Sequence, residues 1–138
     1  MTLAEKQQHL IAKWRLIEDP QERLAALVSR AKKWPAPAVE ECTEANRVTG
    51  CVSQVWIVGR VEEGRCHFRM DADSPLVKGL VALLCELYDG AAPDEVVGIE
   101  PEFIAALGLD RQLSPTRLNG LASVRKTIRA FAAQQTAP

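Results

Sequence analysis

The spacing of apolar residues changes twice along the chain, and this change restricts the fold more than any other feature. Apolar residues recur at helical spacing from Leu3 to about Lys33. Between Cys51 and Met70 the chain is rich in β-branched and aromatic residues, and apolar positions alternate in its second half. Helical spacing returns after Ser74-Pro75, a good N-cap followed by a proline that fits the first helical turn. A small sheet between two helical zones predicts an α+β fold.

Turn and cap signals divide each zone further. Asp19-Pro20 separates the first zone into two helices, and Glu62-Glu63-Gly64 predicts a turn between two strands. A further short strand around Asn46 to Val48 would complete a small antiparallel three-stranded sheet. Ser114-Pro115 predicts the start of the last helix. We therefore expect one domain over residues 1–138, made of a helical hairpin (1–34), the small sheet (46–70) and C-terminal helices (74–133).

Charge and hydropathy restrict the partners. The 138 residues carry a net charge of −1 and no long basic run, which argues against nucleic acid or an anionic membrane as a partner. The first residues, Met1 to Lys6, lack the charged-then-apolar order of a signal peptide, and no apolar run approaches membrane length. We expect a cytoplasmic protein.

The four cysteines are not expected to form disulfides in that compartment, although their number is even. Their spacing gives no Cys-x-x-Cys pair, and no histidine completes a zinc-finger pattern, so no metal site is predicted. Cys85 lies in a helical apolar run and Cys66 on a strand face, and with Cys42 they are assigned structural roles. Cys51 differs because it follows Gly50 at the edge of a strand, where a thiol can be presented to another molecule. The pattern also fits a cysteine that merely starts the strand.

Four motifs resemble the SufE family in order and spacing, over roughly Asn46 to Ala130. SufE proteins, including the CsdE branch, are the sulfur acceptors of iron–sulfur cluster assembly. The motifs are Gly50–Trp56 (GCVSQVW), Asp71-Ala72-Asp73 before Leu76–Leu80 (LVKGL), Leu107-Gly108-Leu109, and Leu113–Leu121 (LSPTRLNGL).

The resemblance implies a specific activity. SufE-like proteins bind a pyridoxal-phosphate cysteine desulfurase of the SufS or CsdA type, stimulate it, and take sulfur from its persulfide onto one cysteine. They then pass the sulfur to a cluster scaffold or another acceptor. Cys51 matches the acceptor cysteine, pyridoxal phosphate belongs to the partner, and the chain itself would need no cofactor and catalyse no net reaction alone. The family shares its fold with IscU-type scaffolds, so an iron–sulfur scaffold is the alternative function.

Residues near Cys51 in the motifs are candidates for the pocket or for partner binding. No histidine lies within four residues of Cys51, so we expect docking on the desulfurase to supply most of the activation. Val55 and Trp56 fit either a pocket wall or an ordinary core. Asp73 also fits a structural role, as a negative charge that stabilises the start of the helix after Ser74-Pro75. Arg117 is a cation in the first turn of its helix, where the helix dipole disfavours positive charge. This position suggests partner contact, although a solvated arginine fits equally. The candidates are Gly50, Val52, Ser53, Gln54, Trp56, Asp71, Asp73 and Arg117.

Two other function classes have distinct requirements. A free-standing enzyme with a cysteine nucleophile would need a nearby histidine, and His67 is the one candidate. A cluster scaffold would need several cysteines that converge on iron and would bind iron stoichiometrically. The sequence does not separate a SufE-type from a CsdE-type partner.

Overall fold

A computed structural model of the chain describes residues 1–136. Within this part, helices precede and follow one two-stranded sheet, and two short 3-10 helices (Val39–Glu41 and Glu44–Asn46) lead into it. The elements are α1 (Leu3–Arg15), α2 (Pro20–Ala31), β1 (Val55–Glu62), β2 (Arg65–Ala72), α3 (Pro75–Tyr88), α4 (Pro93–Gly98), α5 (Phe103–Ala106), α6 (Leu109–Gln112) and α7 (Pro115–Thr136). The predicted α+β class is confirmed.

The N-terminal hairpin forms because its two helices have strong start signals. Thr2 and Glu5 build a capping box, in which the Thr2 hydroxyl accepts from the Glu5 amide (3.1 Å) and the Glu5 carboxylate accepts from the Thr2 amide (2.9 Å). Asp19 caps α2, and Pro20 occupies its first turn, where a missing amide hydrogen costs nothing. The predicted break at Asp19-Pro20 is therefore confirmed.

A buried arginine holds this hairpin to the C-terminal half of the chain. Arg23 is 8% exposed and donates to the carbonyls of Trp14 and Ile17 at the end of α1, and to that of Leu107 after α5. These three distances are 3.0–3.1 Å. Carbonyls at a helix C-terminus carry partial negative charge, which explains how a buried cation is accommodated here.

The sheet is a single hairpin. β1 and β2 pair antiparallel from Val55 opposite Ala72 to Glu62 opposite Arg65. The turn between them uses positive φ at Glu63 (53°) and Gly64 (76°), which matches the twist of a two-residue hairpin loop. The predicted turn is confirmed. The inner face packs on α3 and against the Phe131 ring of α7, whose ring centroid lies 5.6 Å from that of Phe68.

The predicted third strand is wrong. The stretch around Asn46 to Val48 forms only an isolated bridge between Arg47 and Trp56, with the Val48 amide donating to the Val55 carbonyl (2.8 Å). The chain turns at Thr49 and Gly50 before a second pair of bonds can form, and Gly50 has a φ of 90°. β1 consequently begins at Val55 and not at Cys51, which lies in the preceding loop.

Helix α3 is the centre of the C-terminal zone. It begins at the predicted Ser74-Pro75 cap, and most of its residues are buried. Its Gly79 permits close approach of α2, because a Cβ there would lie 3.0 Å from the Val28 amide nitrogen. Helix α7 begins at Pro115, as predicted, and packs against α3, α4 and β1. No helix of the described residues is long and apolar enough to cross a membrane.

Candidate functional site

A short loop, residues 49–54, carries Cys51 out of the sheet and onto α7. The Val48-to-Val55 hydrogen bond closes its base, and the Asp73 amide donates to the Gln54 carbonyl (3.1 Å) at the same end. Both ends of the loop are therefore fixed by the strand ends and by the segment leading into α3. The loop tip, which contains Cys51, makes its contacts with α7.

Gly50 sets how closely the loop approaches α7. Its φ of 90° lies in the region that favours glycine. A Cβ added at Gly50 would lie 2.5 Å from the Ser123 Oγ and 3.3 Å from the Ser123 Cβ. The position therefore requires glycine for its backbone conformation and also for space, and Cys51 is held against the helix as a result.

The Cys51 thiol is half-buried and donates to the carbonyl of Gly120 in α7 at 3.4 Å. Burial raises the pKa of the Cys51 thiol above its ordinary value, and the nearby Arg47 charge opposes that shift without cancelling it. A hydrogen bond donated by S–H also favours the protonated form. The free protein therefore holds Cys51 as a thiol and not as the reactive thiolate.

Cys51 lies at the mouth of a cavity of about 210 Å³ between the loop, α3 and the first turns of α7. Its interior is apolar, whereas the mouth carries hydroxyl groups and one guanidinium. The apolar lining residues of α3 and α7 are buried or half-buried: Val77, Leu80, Val81, Leu121 and Val124. The lining residues at the mouth are half-buried or exposed: Cys51, Val52, Ser53, Ser114, Thr116, Arg117 and Gly120. A sulfur atom attached to Cys51 would thus have an apolar space beside it.

Three predicted site residues share this cavity with Cys51. Val52 is 85% exposed, Ser53 is half-buried, and Arg117 is an exposed lining residue from the first turn of α7. Gly50 does not line the cavity, but its lack of a side chain lets the loop pack closely against Ser123 of α7. The structure therefore brings the Gly50–Trp56 and Leu113–Leu121 motifs, which lie far apart in sequence, to one site.

The other predicted residues lie outside the cavity lining. Trp56 stands opposite Asp71 in the sheet, and the Asp71 carboxylate lies 3.3 Å from the Lys78 ammonium. Val55 is completely buried in the core. Asp73 is exposed and contacts the loop at Gln54, which is also exposed, so these two mark the base of the loop.

Sequence reasoning misses the roles of Gly120, Arg47 and Ser123. A glycine within a helical stretch is the available signal for Gly120, because glycine weakens a helix interior. Arg47 lies only four residues before Cys51, so its charge near the thiol is a local signal that the motifs do not single out. Ser123 gives no signal, because its approach to Gly50 depends on how the loop packs on α7. Gly120 and Ser123 belong to α7, far from the loop in sequence, so spacing along the chain does not indicate their contacts.

The remaining chemistry-bearing residues do not join the Cys51 site. Cys66 and Cys85 are completely buried, and burial raises the pKa of both thiols, whereas Cys42 is partly exposed elsewhere. His67 lines a different groove, with its Nδ1 3.4 Å from an Asp89 carboxylate oxygen. No group of three or more His, Cys, Asp or Glu side chains in residues 1–136 is placed to hold a metal ion.

The fold and the site together define a small α+β protein that presents one thiol at the mouth of an apolar cavity. The chain belongs to the SufE family: the family model, described as an Fe-S metabolism associated domain, matches residues 8–132. This membership supports a role in iron–sulfur metabolism, and the expected family is confirmed.

Individual relatives agree with this placement. An uncharacterised SufE-like protein of Synechocystis is 41% identical over 114 residues, which cover 83% of this chain and 72% of the relative. The SufE-like protein 1 of Arabidopsis thaliana, chloroplastic/mitochondrial, is 35% identical over 125 residues, but this match covers 90% of the chain and only 34% of the relative. The solution structure of a hypothetical protein from Thermus thermophilus has the same fold, with a TM-score of 0.78, 25% identity and 94% coverage of both chains.

Proposed function

We propose that this protein is the sulfur acceptor of a cysteine desulfurase, with Cys51 as the acceptor thiol and an iron–sulfur scaffold or another acceptor as the recipient. The observation that carries the proposal is the position of Cys51, half-buried at the mouth of an apolar cavity on a loop fixed at both ends. Pyridoxal phosphate belongs to the desulfurase, and this chain needs no cofactor of its own. The site of action is the cytoplasm.

The transfer is a displacement at sulfur. The Cys51 thiolate attacks the outer sulfur of the desulfurase persulfide, and the S–S bond of the donor breaks. The donor cysteine leaves as a thiolate with the electron pair of that bond and takes up the proton that Cys51 has lost. A new S–S bond then joins the transferred sulfur to Cys51, and no oxidant or reductant is consumed.

Activation of Cys51 comes from the partner in this proposal. The free protein favours the protonated thiol, because burial raises its pKa and the Gly120 carbonyl accepts its hydrogen. Docking aligns the thiol with the donor persulfide and supplies the group that removes the proton. This arrangement limits reaction with other electrophiles while the protein is unbound.

The exposed groups around the mouth are the proposed docking surface. Val52 offers apolar contact directly beside Cys51, and Arg117 offers an exposed cation at the start of α7. Asp73 offers a carboxylate at the base of the loop. A desulfurase surface that meets this face would need an apolar centre with charges of both signs around it.

Intact-mass measurement after incubation with a cysteine desulfurase and L-cysteine tests the proposal. The wild type should gain the mass of one sulfur atom, and Cys51→Ala should gain none. Cys42→Ala is the matched control, because Cys42 is also partly exposed but lies outside the cavity lining. Sulfur that persists in Cys51→Ala, or is lost in Cys42→Ala, would contradict the assignment. Parallel reactions with SufS-type and CsdA-type desulfurases identify the partner.

A further inference from the structure

Gly120 is a glycine within α7 that the resting structure does not require. It lies five residues after the first residue of a 22-residue helix, where glycine is a poor helix former, and its φ is not in the left-handed region. A Cβ added there would meet one heavy atom within 4 Å, the Cys51 Sγ at 3.7 Å. That distance is ordinary van der Waals contact, so the bare thiol leaves room for alanine.

A persulfide changes this arrangement. The outer sulfur takes the bonding position that the thiol hydrogen occupies, and it lies about 2.05 Å from the Cys51 Sγ. The hydrogen is directed at the Gly120 carbonyl oxygen, which is only 3.4 Å from the Sγ. An outer sulfur in the same direction would lie far inside van der Waals contact with that oxygen. The new S–S bond must therefore turn away from the carbonyl.

We propose that Gly120 is the positioning residue of the persulfide, and that its missing side chain is the space into which the outer sulfur turns. Gly120 lines the cavity, so this space continues into the apolar interior. A methyl group 3.7 Å from the Sγ fits against a thiol but not beside a sulfur attached on that side. The inference deepens the proposed function and depends on it, because it assigns Gly120 to the loaded state of Cys51.

Chemical loading of Gly120→Ala tests the inference without a partner protein. In a Cys42→Ala background, sodium tetrasulfide supplies the sulfur: the Cys51 thiolate attacks a polysulfide sulfur, one polysulfide S–S bond breaks, and the shortened polysulfide leaves with the electron pair. Intact mass gives the loaded fraction and its decay. We expect the alanine variant to retain about tenfold less persulfide at equilibrium, the factor that corresponds to overpacking a tight site by one methyl group. Asn119→Ala, an exposed neighbour outside the cavity lining, should load like the parent.

Two further measurements separate this effect from a damaged fold. The thermal unfolding midpoint of unloaded Gly120→Ala should equal or exceed that of the parent, because alanine is the better helix former. Its unloaded Cys51 should react with iodoacetamide at the parental rate. A lower midpoint would show that the site cannot hold a methyl group even beside the bare thiol, which would overturn the inference.

The outcomes distinguish the inference from the proposed function. Equal loading of Gly120→Ala and its parent by tetrasulfide would refute the role of Gly120 and leave the sulfur-acceptor proposal intact. Loss of loading in Gly120→Ala, together with a parent that loads from tetrasulfide but never from a desulfurase, would support the role of Gly120 in holding a persulfide and refute the desulfurase as its source.

Discussion

Replacement of Gly50 by alanine tests how firmly the Cys51 loop is held on α7. A residue other than glycine at a φ of 90° costs about 1–2 kcal/mol. The added Cβ would also lie 2.5 Å from the Ser123 Oγ, and relief of such overpacking costs about 1–3 kcal/mol more. We therefore expect Gly50→Ala to lower the free energy of unfolding by about 2–5 kcal/mol.

Gly64 provides the control for the backbone contribution alone. Its φ is 76°, and a Cβ there would meet nothing within 4 Å, so Gly64→Ala should cost only about 1–2 kcal/mol. The difference between the two variants isolates the contact with α7. Adding Ser123→Ala to Gly50→Ala removes the oxygen at 2.5 Å and leaves only the Cβ at 3.3 Å, so part of the loss should return.

Urea denaturation measures the stabilities, and the rate of iodoacetamide labelling measures access to Cys51. If the loop lifts away from α7 to relieve the contact, the stability loss of Gly50→Ala should fall toward that of Gly64→Ala. In that case Cys51 should label faster in Gly50→Ala than in Gly64→Ala. Equal stability losses in the two variants, combined with equal labelling rates, would refute the conclusion that the loop packs tightly on α7.

Three further expectations follow from individual contacts. Arg23→Met should lower the free energy of unfolding by about 3 kcal/mol, measured by urea denaturation, because two buried carbonyls and one part-buried carbonyl lose a charged donor. Arg47→Gln should move the pH profile of Cys51 labelling by iodoacetamide to higher pH, because the Arg47 charge lowers the thiol pKa; an unchanged profile would contradict this. The Arg69 hydrogen bonds hold the pKa of the Glu41 carboxyl below its ordinary value, so the stability advantage of wild type over Glu41→Gln should be full at neutral pH and disappear as pH falls through that lowered pKa.

Local signals predict the fold where neighbouring residues decide it. The break at Asp19-Pro20, the helix start at Ser114-Pro115 and the turn at Glu62-Glu63-Gly64 are confirmed, because caps and tight turns depend on residues within about one helical turn. The prediction of a third strand fails because β pairing depends on a partner segment and on where the chain bends. The sequence around Arg47 is compatible with a strand, but the turn at Gly50 ends its pairing after one bridge.

The site shows the same division between local and distant effects. Motifs in the sequence indicate Cys51 and Arg117, and the structure places both at one cavity. Val55 and Trp56 fit either pocket or core from the sequence, and in the structure neither lines the cavity: Val55 is completely buried, and Trp56 lies opposite Asp71 in the sheet. Gly120 affects the thiol through a hydrogen bond between distant parts of the chain, which no spacing reveals, whereas the charge of Arg47 comes from four residues before Cys51.

An unreactive resting thiol suits the sulfur-carrier role proposed for this chain. A cysteine with a lowered pKa would react with any electrophile it met, since the thiolate is the nucleophile. Here burial and the Gly120 carbonyl favour the thiol, and the charge of Arg47 acts against them. A persulfide has no hydrogen on its inner sulfur, so the hydrogen bond to the Gly120 carbonyl stabilises the unloaded thiol and cannot form with the inner sulfur of the persulfide. Under the proposed function, the contact that suppresses unpartnered chemistry is therefore lost upon loading, which lowers the cost of presenting the sulfur to the next acceptor.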